Sequence, residues 1–128
     1  MSDAYVLDAS AVLCLLQEEK GAERVERALP AAVIGAVNYA EVIGKLVESG
    51  LDDATADGLI GALQLRVVPF DRTQARLAGA LRAATRKLGF SLGDRACLAL
   101  AASEGATALT CERLWTKFEA PCKVETVR

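Results

Sequence analysis

Short β-prone stretches alternate with helical ones along the whole chain, and this alternation restricts the fold more than any other feature. Tyr5-Val6-Leu7, Ala32 to Gly35, Arg66 to Pro69 and Thr107 to Thr110 each read as a strand. Between them lie helical patterns. One runs from near Ser10 through Leu16, and one from Gly21 to Leu29, where Pro30 stops it. A third is capped by Asn38 and runs to Ser49, with Val42, Ile43, Leu46 and Val47 as its core face. A fourth opens at Asp52, with Leu59, Ile60 and Leu63 as its apolar stripe and Gly58 and Gly61 weakening it. Asp71 caps a long helix through Leu88, and Ser91 begins another that reaches Glu104. Glu112 to Phe118 reads as a short helix and Val124 to Val127 as a final edge strand. Strand and helix in alternation imply a mainly parallel sheet of four to five short strands covered by helices on both faces. The expectation is a single three-layer α/β/α domain over residues 1–128, without repeat or linker.

Composition narrows the function. At 52% hydrophobic and 5% aromatic, the chain builds its core mostly from Leu, Val and Ala. Fifteen basic residues against 17 acidic ones give a net charge of −2, which decides neither for nor against a nucleic-acid partner. Acids gathered into one site leave the remaining surface more basic than the total suggests. No apolar run approaches the ~20 residues of a membrane span, and the start of the chain lacks a secretory pattern. Cys14, Cys97, Cys111 and Cys122 show no CxxC spacing, so reduced thiols in a cytoplasmic protein are expected. There is no histidine. Ser-His-Asp and Cys-His catalysis and His-ligated metals are thereby excluded. Hydrolysis must rely on carboxylates, a lysine or a metal-bound water.

Four acids occupy equivalent places. Asp8 follows the first strand, Glu41 falls in the first turn of the helix after the second, Asp94 in the first turn of its own helix, and Glu112 just after the fourth strand. In an open α/β sheet, that edge is where ligands bind. Each acid also has a plainer role: Asp8 as a cap, Ser91-x-x-Asp94 as a capping box, Glu41 as a solvated charge, Glu112 as a partner of a helix N-terminus. Crowded together, four carboxylates repel and take up protons unless a cation sits among them. Hard oxygen donors suit Mg²⁺ or Mn²⁺, which activate water without a histidine.

VLDASAVLCLL with Asp8 and Ser10, NYAEVIGKL with Glu41, FSLGDRACLALA with Asp94, and LTCERLW with Glu112 come in this order over nearly the whole chain. Together they resemble the motifs of PIN domains, and at this length the VapC-type toxins of type II toxin–antitoxin pairs. The resemblance implies a Mg²⁺- or Mn²⁺-dependent endoribonuclease, inhibited by a cognate antitoxin. Asp8, Glu41, Asp94 and Glu112 would build the catalytic metal site, with Ser10 and Thr110 in support. The family usually has aspartate where Glu112 stands, so its longer side chain would reach metal through a water or from a shifted backbone. The resemblance also implies a homodimer, and a groove for an antitoxin segment, for which Leu15, Leu16, Leu59, Ile60 and Leu63 are candidates; the same residues read equally as ordinary core.

Arg72, Arg76, Arg82, Arg86 and Lys87 fall within an arc of roughly 140° on an ideal helix. That stripe reads as a solvated face or as a track for RNA phosphates. Arg113 and Lys117 lie nearer the acids and are further candidates for RNA contact, and Arg95 reads either as such a contact or as the partner of a neighbouring acid in a structural ion pair. Tyr39, Phe90 and Trp115 read as packing residues. Two other functions compete: a non-catalytic module that binds antitoxin or RNA, and an RNA-processing or DNA-cleaving nuclease outside a toxin–antitoxin pair. A haloacid-dehalogenase-type phosphatase would need a second Asp where Ser10 stands.

Overall fold

The sheet is built from segments too short to alternate for long, yet each obeys the two-residue period. Val6, Val33 and Ala108 point to one face, and Leu7, Ile34 and Leu109 to the other. Both faces are buried, as a parallel sheet requires. The computed structural model describes residues 4–128. Its strands are β1 (Tyr5–Leu7), β2 (Ala32–Gly35), β3 (Arg66–Val68), β4 (Thr107–Thr110) and β5 (Lys123–Thr126). Among the described residues they form one sheet in the order β3-β2-β1-β4-β5, parallel throughout, with Val6 opposite Val33 on one side and Ala108 on the other.

Helices cover both faces. On the Leu7 face lie α1 (Ala9–Leu16), α2 (Ala22–Ala28), α3 (Ala36–Glu48) and α4 (Asp53–Ala62), with Val12, Val25, Val42 and Ile60 in the core. On the Val6 face lies α7 (Leu92–Glu104), whose residues Ala96 to Ala101 are all buried. A helix apolar all round is one enclosed all round. It is covered in turn by α5 (Arg72–Ala80) and by Phe90, which meets Phe118 edge-to-face and lies 5.9 Å from Trp115. The three-layer α/β/α expectation holds.

Several boundaries differ from the sequence expectation. Helix α3 leaves β2 directly, with Gly35 rather than Asn38 as its cap. Asn38 therefore sits inside the first turn and is buried, and Glu41 moves to the second turn. The expected long helix from Asp71 is broken into α5, α6 (Arg82–Thr85) and a 3-10 turn at Arg86–Leu88. At the break the Thr85 hydroxyl donates to the Leu81 carbonyl at 2.7 Å, and such back-bonding bends helices. The Glu112 helix is a 3-10 turn at Arg113–Lys117 that buries Trp115. Leu59 and Val47 are not core residues, at 40% and 45% exposure. Of the five residues assigned to a groove, Ile60 lies in the core and Leu15, Leu16 and Leu63 pack against it, so Leu59 alone is left in solvent.

Gly58 and Gly61 face open space, since a Cβ at either would meet nothing within 4 Å. Gly58→Ala and Gly61→Ala are each expected to stabilise the chain by roughly 1 kcal/mol, through helix propensity and a less free unfolded chain. Urea unfolding checks this; an unchanged midpoint would refute it.

Candidate active site

Asp8 closes β1 and caps α1, its side chain accepting from the Ala11 N–H at 2.8 Å. Ser10 Oγ donates to Asp8 Oδ1 at 2.7 Å and Thr110 Oγ1 to Asp8 Oδ2 at 2.6 Å. The two hydroxyls are themselves held: Cys111 N–H donates to Ser10 Oγ at 2.9 Å and Glu112 N–H to Thr110 Oγ1 at 3.0 Å. The ends of β1 and β4 are thus stitched together around one carboxylate. That carboxylate is 3% exposed. Burial pushes its pKa up to about 6; the bonds from Thr110, Ala11 and Ser10 oppose the rise, and the charge of Asp94 adds to it.

Glu41 reaches the same region from α3. Asn38 Nδ2 donates to Glu41 Oε1 at 2.9 Å and to the Gly93 carbonyl at 3.0 Å, tying α3 to the first turn of α7. Gly93 makes this possible, because a Cβ there would overlap both carboxylate oxygens of Glu41. Burial raises the Glu41 pKa; the Asn38 bond opposes this, Asp94 adds to it, and Lys45 relieves it. Asn38 Oδ1 is buried without a hydrogen-bond partner. Neither Asn38 nor Gly93 was singled out as a site residue from the sequence. A glycine inside the first turn of an otherwise good helix was the available signal, since almost any other residue is a better helix former there.

Asp94 does form the capping box: its N–H donates to Ser91 Oγ at 3.1 Å, and Ser91 N–H donates to Asp94 Oδ2 at 2.9 Å. Oδ1 is left with no donor among the described residues. Asp94 therefore caps its helix and also lends charge to Asp8 and Glu41. Glu112 is exposed at the start of the 3-10 turn, sharing a cleft with Asp94. Beneath the acids Cys97 is fully buried, its thiol pushed well up by burial and then by Asp8.

Among the described residues, no three acids or thiols stand close enough for a closed coordination sphere. Asp8, Glu41 and Asp94 are each held by hydrogen bonds of their own. Their donor chemistry nonetheless fits a hard divalent cation. They carry only oxygen ligands, and a cation would relieve the repulsion and desolvation that raise Asp8 and Glu41.

The cations divide. Arg95 is half-buried, and its Nη1 donates to the Ala78 carbonyl at 2.9 Å, so it packs α7 against α5. Arg113 is exposed, with Nε donating to the Arg128 carbonyl at 3.2 Å. Arg72, Arg76, Arg82, Arg86, Lys87 and Lys117 are exposed. Cys14, Cys97, Cys111 and Cys122 are free thiols. No described helix is long and apolar enough to cross a membrane.

Comparison with known proteins shows the family and the fold. A model of the PIN domain family matches residues 5–120. The chain belongs to the PIN domain family, whose members are generally nucleases. Its fold is similar to the solved structure of DNA-bound VapBC from Salmonella typhimurium, at 18% identity over 100% of both chains with a TM-score of 0.76. It is similar to a toxin–antitoxin complex from Klebsiella pneumoniae, at 17% identity over 98% of both chains and a TM-score of 0.76. It is also similar to VapBC-5, a toxin–antitoxin system of Mycobacterium tuberculosis, at 22% identity over 98% of both chains and a TM-score of 0.65. Comparison with curated proteins gives no match.

Proposed function

We propose that this PIN-family chain is the toxin of a toxin–antitoxin pair and a Mg²⁺- or Mn²⁺-dependent endoribonuclease. The observation that carries the reading is the buried Asp8 carboxylate, fixed by Ser10, Ala11 and Thr110 and raised to about 6 beside Asp94. A buried carboxylate held by three donors at the C-terminal edge of a parallel sheet, with a second acid close enough to raise it, marks a candidate functional site. Asp8 and Asp94 would hold the ion most directly, and Glu41 would ligate it or orient the attacking water. Glu112, exposed and one methylene longer than aspartate, would act through a water. A bound divalent cation supplies an activated water and neutralises charge on the phosphoryl oxygen. Ser10 and Thr110 keep Asp8 aimed, and Asn38 does the same for Glu41. Arg72, Arg76, Arg113 and Lys117 are proposed phosphate contacts, and Arg95 supports them through the α5–α7 packing. The antitoxin partner is supported by the toxin–antitoxin complexes among the similar folds. A homodimer and a cytoplasmic location belong to the same reading.

A non-catalytic binding module is favoured by one observation, the lack of a closed coordination sphere among the described residues. One experiment separates the two. Antitoxin-free protein is incubated with a mixed RNA pool in Mn²⁺, Mg²⁺ or chelator, beside folded Asp94→Asn. Cutting that needs the cation and falls at least ~100-fold in the variant is expected, as for loss of a charge-stabilising group. Equal background in every sample would leave the binding module.

A further inference from the structure

Cys14 lies fully buried on α1, and Cys111 lies partly buried just beyond β4. They are far apart in sequence, and the pairing of β4 with β1 brings them together. Cys111 Sγ donates to the Ser10 carbonyl at 3.6 Å, one helical turn ahead of Cys14 on α1. Cys14 Sγ donates to the Lys20 carbonyl at 3.3 Å. Arg128 Nη1 donates to that same carbonyl at 3.2 Å and lies 3.9 Å from Cys14 Sγ, and its charge acts on Cys111 as well. Burial and then the adjacent Cys14 thiol, by charge and by hydrogen bonding, push the Cys111 thiol up to about 12; Arg128 and the Ser10 bond oppose the rise. The two sulfurs are therefore neighbours that share one cation. Cys97 and Cys122 differ: they lie on the other face of the sheet, and Cys122 acts on Cys97 by charge alone.

Two neighbouring thiols, one of them reachable from solvent, can be joined without taking the fold apart. In a reducing compartment such a pair rests as the free thiols found here. The cleavage proposed above uses neither thiol. The elements they would join are nonetheless those that hold Asp8: Ser10 lies on α1, Thr110 ends β4, and the Cys111 N–H holds Ser10 Oγ at 2.9 Å.

We propose that Cys14 and Cys111 are a redox pair that closes to an intramolecular disulfide in the folded chain, fastening α1 to the end of β4. The oxidant is a small-molecule disulfide such as oxidised glutathione. The Cys111 thiolate attacks one of its sulfurs and expels one small thiolate, which takes up the proton that Cys111 released. Cys14 then attacks the Cys111 sulfur of the mixed disulfide and expels the second small thiolate, which takes up the Cys14 proton. Two protein thiols are oxidised, one small disulfide is reduced to two thiols, and one S–S bond replaces another.

The full chain is equilibrated with oxidised glutathione without metal or RNA, quenched in acid, unfolded, alkylated and mapped by mass spectrometry. With Cys111 protonated at neutral pH the exchange is slow, so the end point is read rather than the rate. A link between Cys14 and Cys111 is expected, with Cys97 and Cys122 alkylated, and Cys122→Ser should keep it. The closed loop takes in most of the chain, where a cross-link restricts the unfolded state most. The linked chain is thus expected to melt roughly 5–15 °C above the reduced one. Cys111→Ser, which replaces the partly exposed thiol, should show no such rise after the same treatment. A glutathione adduct on Cys111 without the link, free thiols throughout, or a link between other cysteines or between chains overturns the proposal. So does a linked chain that melts no higher than the reduced one. Neither metal nor RNA enters the measurement, so its outcome stands apart from the ribonuclease reading.

Discussion

An Asp8→Asn chain is expected to melt higher than the native protein in chelator, and to cut no RNA in Mn²⁺. The expectation follows from the direction of the Asp8 shift. Its folded pKa is raised to about 6 from 3.8, with burial as the first cause. A carboxyl whose folded pKa is raised contributes stability that is fully present below the unfolded pKa and lost as pH rises through the folded one. The window is therefore about pH 4 to 6, and above it the ionised, buried carboxylate costs on the order of 3 kcal/mol. Asparagine removes that charge while keeping an oxygen for the Ala11 N–H or the Thr110 hydroxyl. Calorimetry in chelator at about pH 7.5 should show the variant several degrees above the native chain, and the gap should close near pH 4. Saturating Mn²⁺ should reverse the order, because only the native site gains binding free energy. A variant less stable than the native chain in chelator at neutral pH would mean that hydrogen bonding, not burial, governs Asp8.

Gly93→Ala is expected to keep the fold and lose the reaction. The added methyl would occupy the space of the Glu41 carboxylate. Glu41 is the end of a flexible side chain and can swing away. The gain of about 1 kcal/mol in helix propensity offsets much of what the displacement costs. Stability should change by less than about 1 kcal/mol, whereas a catalytic group displaced by an ångström can cost ~100-fold in rate. The discriminating measurement is a double-mutant cycle on RNA cleavage. In a Glu41→Ala background, Gly93→Ala should have almost no further effect, since its whole consequence runs through Glu41. Additive losses would place the role of Gly93 elsewhere.

What could be read from the sequence was local. Asp8 and Asp94 are legible because capping is decided within four residues, and the Ser91-x-x-Asp94 box is found where its spacing places it. The sheet was legible because parallel strands buried on both faces leave short apolar runs separated by helices. The cradle of Glu41 was not, because Asn38 and Gly93 are 55 residues apart and meet only when α3 packs on α7. Asn38 looked like a cap by residue type; the chain instead entered the helix straight from Gly35. The break after Ala80 was hidden too, since the helical period continues through it and the turn is opened by a hydroxyl–carbonyl bond.

The bond between Thr110 and Asp8 spans 102 residues of sequence. On the ribosome, Asp8 emerges 102 residues ahead of its hydroxyl donor Thr110. Until β4 slides in beside β1, Asp8 has neither Thr110 nor the Cys111-anchored Ser10 to hold it, and Glu112 has not yet arrived. Topology alone thus delays assembly of this carboxylate edge until β4 has been made and has docked beside β1.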